Sequence, residues 1–270
     1  MACRRATSGF PPQNPIPNHG RMNKRFKMGN LHAQAAFPLY LSQVTFNDPN
    51  LNQIMSKSAN TGTGKKYVAI AGNIGAGKSS LTRLLSQHFK WEAFFERVED
   101  NPYLADFYAD MRRWSFNLQV FFLSSRFNQQ QVIENLPHSV VQDRSIYEDA
   151  KIFARNLHEM GLMTQRDFEN YTELFAIMTS YLRPPDLLVY LRASVPVLVQ
   201  HIQSRGRAFE SNISIDYLNR LNELYEDWIN EYTAGPKLII NVDSLDFVNE
   251  EEGRAEVINQ IEGRLYGLFS

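Results

Sequence analysis

From Lys65 onward, short apolar runs alternate with long stretches whose apolar residues recur every three or four positions. Tyr67 to Ala71, Ala93 to Phe95, Ser139 to Gln142, Leu187 to Leu191 and Leu238 to Val242 read as strands. Their near-continuous apolar character suits strands buried on both faces. Between and after them, Ser79 to Phe89, Trp114 to Asn135, Tyr147 to Met160, Asp167 to Leu182, Pro196 to Gln203 and Ile215 to Tyr232 read as helices. Pro137, Gly161 and the Pro184-Pro185 pair punctuate three of their ends. Strands separated by helices imply right-handed crossovers. The expectation is an α/β three-layer fold, a five-stranded parallel sheet flanked by helices. No internal repeat and no heptad series is present.

Before Lys65 the pattern is lost. Met1 to Asn47 holds six Lys/Arg and no Asp or Glu, and is broken by Pro11, Pro12, Pro15 and Pro17. Residues 1–64 are therefore expected to be a disordered basic extension ending in a linker, SKSANTGTG, with a single catalytic domain over 65–270. The extension lacks the apolar core of a secretory signal. An acid-free basic leader also fits an organellar transit peptide, or an upstream start with Met22, Met28 or Met55 as alternatives. The chain's formal net charge is −1, which makes no case for nucleic acid or an acidic membrane as partner. Its one cysteine, Cys3, excludes an intramolecular disulfide and a cysteine metal cage. No apolar run approaches the roughly 20 residues needed to span a bilayer. These features suit a cytoplasmic protein, with a mitochondrion or other organelle the alternative if the leader targets it.

One stretch carries specific chemistry. Gly72-Asn73-Ile74-Gly75-Ala76-Gly77-Lys78-Ser79 fits G-x-x-x-x-G-K-[ST], after an expected strand and opening an expected helix. Glycines let the backbone turn tightly and aim successive N–H groups at phosphate oxygens. Lys78 is expected to reach the β- and γ-phosphates, and Ser79 to face magnesium. This loop alone identifies only a nucleoside triphosphate site. A regulatory GTPase would carry Asn-Lys-x-Asp after a late strand, where this chain reads Ile240-Asn241-Val242-Asp243. A motor ATPase and a small-molecule kinase remain.

The acceptor side separates those two. Glu96 ends the second strand, at the edge where ligands bind in open α/β sheets, and can take the proton of an attacking hydroxyl. Glu99 and Asp100 are solvent-facing alternatives. Asp143 and Arg144 follow the third strand; the acid can hold magnesium and the arginine can neutralise a transferring phosphoryl group. Arg205-Gly206-Arg207 suits a hinged arginine lid over phosphates, or merely a basic helix end. Gln119 and Arg126 lie seven residues apart, on one helix face, and the Gln119 amide offers a donor and an acceptor to a nucleobase edge. Most of the neighbouring aromatics read as ordinary core.

Taken in order, GNIGAGKSS at Gly72, FFERV around Glu96, WSFNLQ at Trp114, DRSIYED at Asp143 and RGRAFE at Arg205 resemble the deoxynucleoside kinase family, over roughly Lys65 to Tyr232. The resemblance implies a P-loop kinase with an arginine lid, transferring phosphate from ATP to the 5′-hydroxyl of a deoxynucleoside. It implies donor contacts from Gly72 through Ser80, including Ser80 itself, and from Arg205 and Arg207. Glu96 looks like the general base and Arg144 like the arginine that positions the 5′-oxygen. Gln119, Arg126 and Asp149 match the residues that read the base; Tyr108 and Glu210 match the pair that holds the sugar 3′-hydroxyl. Ser79 and Asp143 would serve magnesium. Two departures stand out. Arg97 replaces the family's usual proline, and Asp143 is one methylene shorter than the animal enzymes' glutamate. Asn101-Pro102-Tyr103-Leu104 and Asp-Arg-Ser resemble the bacterial purine-preferring branch. A homodimer through Trp114 to Asn135 and Asp167 to Leu182 is the family expectation, with Phe168, Tyr171, Leu174, Phe175 and Met178 giving the second helix a large apolar surface. A nucleoside monophosphate kinase of the thymidylate kinase type is the alternative, although that group typically carries Asp-Arg-Tyr where this chain has Asp143-Arg144-Ser145.

Overall fold

Every residue of the first strand, β1 (Tyr67–Gly72), is buried, because its alternating side chains feed two different cores. The computed structural model describes residues 64–96, 101–207, 210 and 213–267; the expectations for residues 1–63, Arg97, Glu99 and Asp100 fall outside these. β1 is the central strand of a parallel sheet with β2 (Glu92–Phe94), β3 (Val140–Asp143), β4 (Leu187–Arg192) and β5 (Lys237–Asn241), in the order β2-β3-β1-β4-β5.

Val68, Ile70, Val189 and Leu191 point to one face and pack on Leu81 and Leu85 of α1 (Lys78–Phe89) and on Val257 and Ile261 of the last helix. Tyr67, Ala69, Ala71, Leu188 and Tyr190 point to the other face. There they meet Leu221, Tyr225, Trp228 and Ile229, spaced three and four apart along the helix Ile215–Glu231. That spacing makes one apolar stripe, and each such buried side chain contributes about 1.5–3 kcal/mol before entropy is counted. The result is the expected three-layer arrangement.

Between the strands lie α2 (Leu104–Ala109), α3 (Met111–Asn135), α4 (Ile146–Glu148), α5 (Arg155–Glu159), α6 (Gln165–Thr179), α7 (Val195–Arg205), α8 (Ile215–Glu231) and, after β5, α9 (Glu251–Tyr266). The single helix expected from Tyr147 to Met160 is interrupted by a π-helical segment, Asp149–Ala154, between α4 and α5. Such a widening places one residue off the regular helical stripe and is frequent at functional sites; here it carries Asp149.

Two helices go beyond the sequence reading. α2 is too short for its period to show. α9 contains Gly253 and Gly263 and buries only Gly253, Val257 and Ile261, so packing on the sheet, more than an apolar stripe, makes it a helix. The apolar face of α6 is also divided. Tyr171 and Phe175 turn inward against α3, α4 and the π segment, whereas Leu174, Ile177 and the following Tyr181 remain exposed. Among the described residues, no helix is long and apolar enough to cross a membrane.

Candidate active site

The C-terminal ends of β1, β2 and β3 open into one cleft of about 1280 Å³. The phosphate loop forms its floor. At Gly75 the backbone has φ +88°, and an added Cβ would lie 2.7 Å from the Leu198 carbonyl oxygen, so both conformation and space require glycine. The loop is bolted from beneath. The Asn73 amide donates to Leu218 O at 3.0 Å and Asn222 Oδ1 at 2.6 Å, and its Oδ1 accepts from Ile74 N at 2.7 Å. His201 Nδ1 lies 2.8 Å from Gly75 O, tying α7 to the same loop. Gly77 caps α1 without a side-chain hydrogen bond, leaving first-turn N–H groups for an anion. Lys78 Nζ donates to Asn73 O at 2.8 Å. Burial lowers its ammonium to about 8; Arg144 pushes the same way, and the nearby carboxylates oppose both.

Ser79 Oγ donates to Asp143 Oδ2 at 2.5 Å, while Asp143 Oδ1 is buried and has no hydrogen-bond partner. Burial raises the Asp143 carboxyl, against the pull of Lys78. A hydroxyl and a carboxylate with a spare buried oxygen fit a hard cation. No group of three or more His, Cys, Asp or Glu that could hold a metal occurs among the described residues.

Glu96 stands two residues past β2, between two guanidinium groups. Its Oε1 lies 2.9 Å from Arg126 Nη2 and 3.1 Å from Arg144 Nε, the latter an ion pair without hydrogen-bond alignment. Burial would raise this carboxyl; Arg144 first, then Arg126 and Lys78, overcome burial and lower it to about 2. Arg126 also donates through Nε to both Asp149 oxygens, at 2.9 and 2.8 Å. Burial moves Asp149 up to about 7 against Arg126, whereas Arg126 itself is raised by Asp149 and Glu96 despite burial. The two short contacts describe a charged pair, so the Arg126 side of that balance governs.

Arg144 is held on every side. It adopts φ +71°, unusual for a residue with a side chain, and its N–H donates to Ile70 O at 2.9 Å. Nη1 reaches Tyr225 OH at 2.8 Å and Glu148 Oε1 at 3.3 Å, and the guanidinium covers the Phe153 ring at 4.5 Å. Glu148, fully buried, also accepts from Ser145 N at 2.7 Å, Tyr225 OH at 2.7 Å and Gly72 N at 3.3 Å. Neither Glu148 nor Tyr225 was among the residues expected from sequence. Ser145-x-x-Glu148 is a capping-box spacing and is the signal that could have found Glu148.

At the far end, Gln119 is buried with its Oε1 unpartnered. It lines the cleft together with Arg126, Asp149, Tyr108 and Glu210. α7 ends at Gly206, which adopts the left-handed conformation of a helix C-cap. The lid arginines point at Glu210: Arg205 Nη2 lies 2.8 Å from both of its oxygens and Arg207 Nη1 3.5 Å from Oε1. All of Ile74 to Ser80 and both arginines border the cleft. Gly72 and Asn73 do not; Gly72 N–H faces Glu148, and Asn73 braces the loop from below. The segment after β5, Asp243 to Glu250, also lines it and was not foreseen, because no motif marks it.

The cleft thus combines a glycine-rich loop, a carboxylate between two arginines and a buried amide oxygen without a hydrogen-bond partner. The family model for deoxynucleoside kinases matches residues 68–265. The chain belongs to the deoxynucleoside kinase family. It is 39% identical over 196 residues to the deoxyadenosine/deoxycytidine kinase of Bacillus subtilis, covering 72% of this chain and 90% of that one. It is 40% identical over 208 residues to a deoxyguanosine kinase of Lactobacillus johnsonii, covering 73% and 92%. Among solved structures, the deoxyadenosine kinase of M. mycoides with bound dATP superposes with a TM-score of 0.65 at 29% identity, over 73% of this chain and 99% of that one. This deoxynucleoside kinase is thus an enzyme that transfers a phosphoryl group to a deoxynucleoside, with the P-loop kinase fold. The thymidylate kinase alternative is not supported.

Proposed function

We propose that this kinase phosphorylates the 5′-hydroxyl of a purine deoxynucleoside, deoxyadenosine or deoxyguanosine, using ATP. The observation that carries the reading is the position of Glu96, paired with Arg144 on the phosphate side and with Arg126 on the nucleobase side. A hydroxyl placed beside Glu96 gives its proton to the carboxylate as its oxygen forms the new bond to the γ-phosphorus. The bond to the β-phosphate oxygen breaks, and ADP leaves with the electron pair. Phosphoryl transfer needs positioning and positive charge more than a strong base, so a carboxyl lowered to about 2 is competent. Lys78 and Arg144 supply fixed positive charge, joined by Arg205 and Arg207 once the lid swings from Glu210 to the phosphates. That swing frees Glu210 to join Tyr108 at the sugar. Magnesium bound with the triphosphate would supply further charge neutralisation, held by Ser79 and the free oxygen of Asp143.

The Gln119 amide can pair with either purine edge by presenting its oxygen and nitrogen in either order. The deoxyadenosine and deoxyguanosine kinases among the relatives support the purine reading. A steady-state assay with ATP, magnesium, the four deoxynucleosides and thymidylate tests it. The highest kcat/KM is expected for deoxyadenosine or deoxyguanosine; a preference for deoxycytidine or thymidine would remove the purine assignment.

The working form is expected to be a homodimer. Leu174, Ile177 and Tyr181 leave apolar area exposed on and after α6, and Val132 does so on α3. Sedimentation equilibrium is expected to return twice the 31.2 kDa chain mass, and a monomer at assay concentrations would contradict it.

A further inference from the structure

Phe95 lies one residue past the last sheet pairing of β2, Phe94 with Gln142, and one residue before Glu96. Its carbonyl accepts from Gln129 Nε2 at 2.9 Å. Gln129 Oε1 accepts from Gln142 Nε2 at 3.2 Å, and Gln142 Oε1 accepts from the Tyr67 hydroxyl at 2.6 Å. The same hydroxyl lies 2.9 Å from Gln130 Oε1, and Gln130 Nε2 donates to Arg183 O at 3.3 Å. Three amides and a phenol thus form a chain between α3 and the sheet, with Tyr67, Gln130 and Gln142 buried.

The ends dictate the direction of each bond. Both termini are backbone carbonyls, which only accept, so Gln129 and Gln130 must present nitrogen there and oxygen inward. Turning any amide over would set two oxygens face to face. The two arms meet at Tyr67, whose single proton serves two amide oxygens. Apolar side chains at these positions would pack against the sheet without desolvating polar groups. What the polar chain adds is a grip on one particular peptide, the one that carries Glu96.

We propose that Gln129 is a positioning residue for phosphoryl transfer. It anchors the Phe95 carbonyl, and the Tyr67–Gln142 arm orients its amide. β2 is only three residues long and ends at Phe94, so Glu96 stands beyond the sheet ladder while two guanidinium groups pull on its side chain. Gln129 supplies the opposing backbone anchor that keeps the carboxylate where an acceptor hydroxyl arrives.

This role rests on Glu96 being the proton acceptor, and a double-mutant cycle separates the two claims. Gln129→Met keeps length and loses the donor. It is expected to lower kcat roughly 10- to 100-fold, the scale of a misplaced catalytic group, with ATP affinity unchanged. Added to Glu96→Ala, it is expected to cost nothing more, because residues that act through one another are not additive. An equal loss in both backgrounds would show a general structural role and overturn the proposal, as would unchanged kcat in the intact background. Gln129→Glu, which turns an oxygen toward the Phe95 carbonyl, is expected to give the same pattern and serves if the methionine variant does not fold. Wild-type turnover by Glu96→Ala alone would instead remove the base assignment, and the positioning role with it.

Discussion

Arg144→Met is expected to lower kcat by roughly 1000-fold, the scale seen when an arginine that stabilises phosphoryl-transfer charge is removed. The side chain is nearly fully buried, with Nε beside Glu96 and Nη1 shared between Glu148 and Tyr225. Methionine fills much of the volume over Phe153 but brings no charge. Two effects then act together. Positive charge is missing from the proposed γ-phosphate position, and Glu96 loses the largest of the three charges that hold its carboxyl down. Arg144→Lys is expected to rescue little, because one ammonium cannot reach Glu96 and the Glu148–Tyr225 pair at once. Single-turnover rates and ATP affinity, measured for both variants, check this. A kcat within tenfold of wild type for Arg144→Met would show that the guanidinium does not face the reacting phosphate.

Glu96→Ala is expected to lower kcat by roughly 100-fold or more while ATP still binds. The pH dependence adds a second signature. With its carboxyl lowered to about 2, Glu96 is ionised throughout the neutral range, so it contributes no acidic limb to the rate profile near neutrality. The same shift bears on stability. A carboxyl whose pKa falls from 4.5 to about 2 on folding stabilises the fold fully above the unfolded value, and that contribution disappears as pH falls toward the folded one. The alanine variant also leaves Arg126 and Arg144 facing each other without their shared anion. Its thermal midpoint is therefore expected to lie below wild type at neutral pH, with the gap narrowing in acid. Turnover equal to wild type would remove Glu96 from the base role; a gap independent of pH would show that the two arginines do not hold its carboxylate.

What the chain alone determined is whatever depends on local order. The phosphate loop is contiguous, so its glycines, Lys78 and Ser79 could be read from one motif between a strand and a helix. Strand order along the chain followed from short apolar runs, because strands covered on both faces carry an unbroken apolar signature. Glu96 and Asp143-Arg144 stood at strand ends, and that placement alone sent them to the ligand edge of the sheet. The tertiary structure decided everything that joins distant segments. Nothing around Gln129 or Gln142 announces that their amides meet across helix and strand to hold the Phe95 carbonyl. Glu148 and Tyr225, far apart in the chain, become one buried clamp on Arg144 only when α8 packs on the sheet. α9 is helical through packing that no local period reveals, and the divided apolar face of α6 follows from which neighbours reach Tyr171 and Phe175. The physical reason is common to all of these. Motifs and periodicities record what a residue does with its near neighbours in the chain. Burial and long-range hydrogen bonds depend on which surfaces the fold brings together.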